Sequence, residues 1–463
     1  MMTRHFALPS LARKSAAAFA AGLYFFGAAV GPAHAQSVPI VRDAEIEALV
    51  RDYAKPILQA AGLSKSGISI ILVNDRRFNA FVDGRRIFIN TGALVMAETP
   101  NEIIGVLAHE TGHLAGGHQQ RLRDQLARAQ TMAIVASLLG LGAMAAGAAT
   151  KNGELAQSGM GVAAGGSEFA RRGLLGYQRT EEYTADRSAI VYLDKTGQSA
   201  NGMLKTFRHF QSALSLSGTQ VDPYQISHPM PQDRIEALQA LATASPYFGA
   251  VDPPALQLRH DMMRAKIAAF SPNGSTLSRM FRNGQDPTAA AYGDAIYTFL
   301  HGNLKSALAK TDALIKAMPK NPYLYELRGD ILLKANKAKE AAAAYAKAVS
   351  LDPNKSGLLQ ASYGQALVAA GDPKSLEKAV TVLSTGLSRD KENIAGYRYL
   401  AQAHGMLGEI PEADLATAEG YFYGGSYNDA KIFAMRAQQT MKRGSPGWVR
   451  AQDIINFKVP KKK

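Results

Sequence analysis

The sequence predicts an α+β, mostly α chain: a helical domain built on a small β-sheet, followed by an all-α solenoid of paired helices. Three observations carry this. Short β-branched runs between residues 67 and 90 stand among helical periodicities, a strongly capped helix at about 99–116 follows them, and from residue 287 small residues recur at a 34-residue spacing. At 463 residues the chain exceeds what one core usually fills. A hydrophobic share of 47% with 19% charged residues describes a folded protein. There is no cysteine, so disulfides and thiolate metal sites are excluded and any metal must sit on His, Asp or Glu.

Taken in order, Arg4, Arg13 and Lys14 precede the apolar run 16–30, and Ala33 and Ala35 supply an A-x-A pattern before Gln36. That reads as a signal peptide over 1–35 and an exported, most simply periplasmic, protein. Without it the formal charge falls from +14 to +11, a balance that suits anionic lipid surfaces, while export argues against nucleic acid.

Residues 43–61 alternate apolar and charged positions at helical spacing, and "GISIILVND" at 67–75 reads as a buried strand. "NAFVDGRRIFINTGAL" at 79–94 carries Asp83-Gly84 between apolar runs, a hairpin signal. Thr99, Pro100 and Glu102 then cap a helix that Gly116-Gly117 can end. "TMAIVASLLGLGAMAAGAA" at 131–149 is uncharged and 19 residues long. Its Ala, Gly and Met content favours a helix that packs over the catalytic domain or touches a membrane, with a true span as the alternative.

In the second half, Gly329, Ala341, Tyr345, Ala348 and Pro353 repeat the offsets of Ala295, Ala307, Thr311, Leu314 and Pro319, displaced by 34 residues. Gly364 opens a third, looser unit, and Ala401 and Ala413 mark a fourth. A 34-residue period with small residues between paired helices is the tetratricopeptide pattern.

The chemistry lies in "GVLAHETGHLAGGH", 105–118. His109 and His113, four apart, project from one helix face and can share one ion. Glu110 lies about 100° around, placed to accept a proton from a water beside that ion rather than to bind it. The third ligand is open at this point. An H-E-x-x-H-x-x-G-x-x-H pattern needs histidine at 119, where Gln119 stands, and His118 reads as a surface or helix-end residue. The alternative is acidic: "RTEEYTADRSAIVYL" at 179–193 offers Glu182 as ligand and Asp186 as the acceptor that holds a ligating imidazole in place.

Taken together, "NAF…IFINTGAL…VLAHETGHLAGGH…EEYTADRSAIVYLDKTG…SHPMPQDRIEAL" resembles the HtpX and CAAX-endopeptidase group of zinc metallopeptidases over about residues 40–245. With a leader in front and tetratricopeptide repeats behind, the chain looks like the BepA-like branch. The resemblance implies a zincin-type fold, one Zn2+ per chain, His109, His113 and Glu182 as ligands, and Glu110 and Asp186 as catalytic groups. It also implies a role for His228, as oxyanion stabiliser or as a gate on the metal, with Arg234 paired to an acid or an oxyanion nearby.

The expected organisation is a leader at 1–35, a metallopeptidase domain at 36–250, a connection at 251–286, repeats at 287–443 and a basic tail at 444–463. The expected substrates are misfolded or stalled envelope proteins, aligned by strand addition to the edge "RRIFINTG". The expected partners are the outer-membrane assembly machinery, through the repeats, and a membrane surface. A non-enzymatic chaperone or adaptor, or a membrane-anchored peptidase, are the alternatives.

Overall fold

The computed structural model describes residues 39–217, 228, 232–271, 275–281 and 286–459; the leader at 1–35 lies outside them. Helix α1 (Ala44–Ala60) starts where the Asp43 side chain accepts the Ile46 amide at 2.9 Å. The sheet follows: β1 (Ile40–Val41), β2 (Ser69–Val73), β3 (Ala80–Asp83) and β4 (Arg86–Asn90), in the order β1-β2-β4-β3. The pairing of β2 with β4 is parallel and the other two are antiparallel. The β3–β4 turn takes Gly84 at φ +60°, where a Cβ would be strained.

One expectation is corrected here. "RRIFINTG" is not an edge, because β4 lies between β2 and β3. Alternation cannot tell which strand of a hairpin pairs onward, but burial does. Ile87, Phe88 and Ile89 are all buried, on both faces of the sheet, so β4 is the inner strand and β3 the free edge.

Helix α2 (Thr91–Met96) leads into α3 (Pro100–Gly116), with Glu102 Oε1 accepting the Thr99 amide at 3.1 Å as the capping box requires. Gly117, at φ +64°, ends it. Helix α3 is buried nearly all round, as its Ile103, Ile104, Val106, Leu107 and Ala108 foretell. It packs on α1, on α5 (Gly153–Lys195) and on α6 (Asn201–Ser217). Two glycines permit the close approach: a Cβ at Gly105 would lie 2.8 Å from Met203 Cβ, and one at Gly112 2.8 Å from the Ala185 carbonyl oxygen.

Residues 131–149 form the second half of α4 (His118–Ala149), which packs along α5. The arrangement is inside out. Gly140 and Gly147 are buried, and a Cβ on Gly159 would lie 2.5 Å from the Gly140 carbonyl, while Leu138 and Leu139 are each 65% exposed. Small residues hold the two helices together and the large apolar ones face outward, as in helix pairs solvated by lipid.

Helices α7 (Gln232–Thr243) and α8 (Pro254–Ala269) complete this half. Within the expected connection, α8 is a joint: Met263 belongs to the first core and Met262 to the second. Buried Lys266 pairs with Asp43 at 2.7 Å and Glu45 at 3.2 Å, and the Tyr292 hydroxyl donates to Glu45 at 2.8 Å.

The rest is helical: a short α9 (Ser275–Met280), then α10 (Pro287–His301), α11 (Leu304–Ala317), α12 (Pro322–Lys334), α13 (Ala338–Leu351), α14 (Gly357–Ala370), α15 (Pro373–Arg389), α16 (Ile394–Met406), α17 (Ile410–Tyr423), α18 (Tyr427–Thr440) and α19 (Pro446–Asn456). Each packs on its neighbour in sequence. The recurring small positions explain how closely. Ala307, Thr311, Ala341 and Ala348 are fully buried, and a Cβ on Gly329 would lie 2.7 Å from the Tyr345 ring. The expected tail at 444–463 is corrected over most of its length, since α19 buries Ala451 and Ile454 against α17 and α18.

Candidate metal centre and active site

Helix α3 presents His109, Glu110 and His113, and α5 presents Glu182 and Asp186 from the facing side. His228 completes the group from the segment before α7. One ligand atom from each of His109, His113, Glu182 and His228 lies within 4.8 Å of all the others. His109 Nε2 is 3.0 Å from His113 Nε2, 3.4 Å from Glu182 Oε2 and 3.3 Å from His228 Nδ1. His113 Nε2 is 3.4 Å from Glu182 Oε1. Donors held about 2.0–2.1 Å from one ion in a tetrahedron stand about 3.3 Å apart. The residues therefore fit a metal, and two or three imidazoles with one carboxylate form a nitrogen and oxygen donor set suited to a first-row divalent ion.

The electrostatics agree. Burial lowers the affinity of His109 for a proton, but Asp186 and Glu182 outweigh it and raise its pKa to about 9. A positive charge is favoured at this spot, which an ion supplies as well as a proton does. Burial and the charge of His109 hold His113 well below its usual value. Burial would raise Glu182, yet the neighbouring His228 and His109 hold it well below the carboxylate range. Glu110, 1% exposed and 3.4 Å from His228 Nε2, is pushed up by burial.

The groups around the centre are held in turn. Asp186 Oδ1 is 2.8 Å from His109 Nδ1, the nitrogen facing away from the centre. Arg234, itself 1% exposed, donates to both Asp186 oxygens at 2.6 and 2.9 Å and pairs with Glu182 at 2.8 Å. One guanidinium thus fixes the Glu182 carboxylate and the acceptor of the His109 imidazole together.

His118 stands at a helix end, one of the two expected placements, and not at the surface. It is buried, with Nδ1 2.9 Å from His113 Nδ1 and Nε2 2.7 Å from Glu181. Its side chain swings away from the four-residue cluster, as the one-residue shift from 119 requires, yet lands on the Nδ1 of His113. Glu181 was missed by the sequence reading. The signal was present in "EEYTAD", where the first glutamate lies about 100° from the second and so faces the neighbouring helix. A cleft of about 200 Å³ opens on the centre, walled by Phe81 and Val82 of the free edge, Leu122 and Tyr177, with Glu110 and His113 on its floor.

Comparison with known proteins agrees with this geometry. Residues 41–242 match peptidase family M48. The chain is 24% identical over 419 residues to the beta-barrel assembly-enhancing protease of Escherichia coli (strain K12), covering 88% of this chain and 82% of that one. The putative beta-barrel assembly-enhancing protease of Vibrio cholerae serotype O1 is likewise 24% identical, over 420 residues, with the same shares covered. Metalloprotease YcaL of Escherichia coli (strain K12) is 32% identical over 139 residues, 30% of this chain and 48% of that protein. A cluster of side chains that could hold a metal, with an adjacent glutamate, lies inside the residues that match peptidase family M48, and the chain is a metalloprotease similar to the beta-barrel assembly-enhancing proteases.

Proposed function

We propose that the protein is an exported, zinc-dependent endopeptidase that hydrolyses misfolded or stalled envelope proteins, outer-membrane β-barrels foremost. The single observation that carries this is the buried cluster of His109, His113, Glu182 and His228 beside Glu110, at the floor of a cleft bounded by a free strand edge. His109, His113 and Glu182 would hold the ion. Zinc held there would polarise the scissile carbonyl and make a water more acidic. Glu110 takes the proton of the attacking water and returns it to the leaving amine. Asp186 keeps the His109 ring in place, and Arg234 keeps Asp186 and Glu182 apart from solvent and from each other's charge.

His228 is a gate. A catalytic metal needs an open position, and four protein donors leave none. Its Nδ1 sits 3.1 Å from Glu182 Oε1, so it fills the place a reacting carbonyl must take and has to withdraw. The test is cleavage of casein by wild type and by His228→Ala, with zinc and with a chelator. Chelation should abolish both rates, zinc should restore them, and the variant should be the faster. A metal-independent rate sinks the peptidase reading, and a slower variant sinks the gate.

The helices from 287 to 443 are read as tetratricopeptide units whose surface docks on the outer-membrane assembly machinery or presents clients. The names of the relatives, which speak of beta-barrel assembly, support this. The α4–α5 hairpin would make a peripheral membrane contact: its Ile134, Leu138, Leu139 and Phe169 are exposed, with Arg123, Arg128 and Arg172 toward its base. Flotation with anionic vesicles should be lost in a Leu138→Ser/Leu139→Ser variant; undiminished flotation removes the hairpin from the contact.

A further inference from the structure

We propose that Gln119 is a gate on the free edge strand: its carboxamide holds the outward Val82 carbonyl of β3 and the Gly84 amide of the turn after it, groups that an extended substrate takes, and substrate displaces it. The proposal rests on the reading that this site cleaves polypeptides lined up on that strand.

Strand β3 pairs on one side only, with β4. Phe81 stands opposite Phe88 and Asp83 opposite Arg86, and the Asn90 amide donates to the Asn79 carbonyl at 2.9 Å. Alternation along an antiparallel ladder then turns the backbone groups of Asn79, Phe81 and Asp83 toward β4 and those of Ala80 and Val82 outward. The outward Val82 carbonyl is already taken. Gln119 Nε2 donates to it at 3.0 Å, and Gln119 Oε1 accepts the Gly84 amide at 2.8 Å. The same Nε2 lies 3.0 Å from Asp83 Oδ1, which Arg123 also meets at 3.0 Å.

A primary carboxamide offers the donor and acceptor of a peptide group, so this side chain stands on the edge as a single substrate peptide unit would. Its place is set by the break after the motif helix. Gly117, at φ +64°, turns the chain, and Gln119 follows in the first turn of α4. Val82 and Gln119 both line the cleft that holds Glu110 and His113, so the occupied groups lie along the path to the metal position. Two physical needs are met together. A bare edge beside an open cleft is a template for indiscriminate pairing. A plug that bonds as a peptide does can be exchanged for one with little change in the number of hydrogen bonds.

The experiment measures binding, separate from turnover. Fluorescein-labelled β-casein is titrated by anisotropy against full-length Glu110→Gln protein, and against the same protein carrying Gln119→Ala or Gln119→Glu. Without the plug, the labelled chain no longer competes with Gln119, and Kd should fall roughly three- to tenfold. Gln119→Glu removes the donor and sets a carboxylate against the Val82 carbonyl and Asp83, so it should shift Kd the same way. If Gln119→Ala loses thermal stability, Gln119→Glu carries the comparison. Equal or weaker binding by a stably folded variant overturns the gate alone. Absence of binding by all three proteins overturns the polypeptide-binding reading and the gate with it.

Discussion

Glu110→Gln lowers the rate of casein cleavage by about 10²–10⁴-fold, while metal per chain stays at the wild-type level. Glu110 is on the helix face next to His109 and His113, and the metal group is His109, His113, Glu182 and His228 without it. Its carboxylate is buried and pushed up by that burial, so it holds a proton more readily than a surface glutamate does. That suits a group that must accept a proton and then return it. Glutamine keeps the shape and hydrogen-bonding reach but cannot carry the proton. Metal analysis of the purified variant beside a casein assay decides the matter. A variant that keeps cutting removes Glu110 from the chemistry, and one that loses metal as well makes it a ligand.

The second large effect comes from Arg234→Met, expected to destabilise the metallopeptidase half by about 3–5 kcal/mol. Arg234 is 1% exposed and pairs with two carboxylates that are themselves almost fully buried, at 2.6 and 2.8 Å. Burial raises the pKa of Asp186, and Arg234 is the strongest influence that brings it back down. Methionine fills the volume beside Phe207, over whose ring the guanidinium now lies at 5.0 Å, but leaves both acids without their cation. The acids must then take up protons or draw in water, and the protonated forms bind metal less well. Differential scanning calorimetry of the metal-stripped protein should show the first transition lowered by roughly 6–20 °C. An unchanged transition would mean that the acids are solvated without Arg234 and that the network is not a structural clamp.

Much of the centre was legible before folding because a helix fixes its own side-chain directions. Once Thr99, Pro100 and Glu102 bounded the motif helix, the four-residue spacing of His109 and His113 determined that both point one way, and Glu110 beside them followed. The acidic pair on the later helix was readable for the same reason, since Glu182 and Asp186 keep that spacing. The repeat positions were readable from a period, because a helix pair buries small residues wherever it is stacked. The sequence reading failed where position depends on elements far apart in the chain. It put His118 at the surface or at a helix end without a partner, because the facing Glu181 comes 63 residues later and only the packing of α4 on α5 brings the two to 2.7 Å.

The sequence by itself determined the spacing of His109, Glu110 and His113, the helix that carries them, the hairpin at Asp83-Gly84 and the 34-residue recurrence after residue 287. Each of these is local, written in spacing, capping and turn residues that act within a few positions. Only the tertiary structure decided that β4 is the inner strand and β3 the edge, that His228 lies beside His109, His113 and Glu182, and that Arg234 joins two acids. It also decided that the glycines of α4 and α5 meet while their leucines face outward. The physical reason is common to all four. Which strand pairs onward, which charge answers which, and which face is covered are settled by competition among distant segments for the same neighbours, and a local pattern names the competitors without naming the winner.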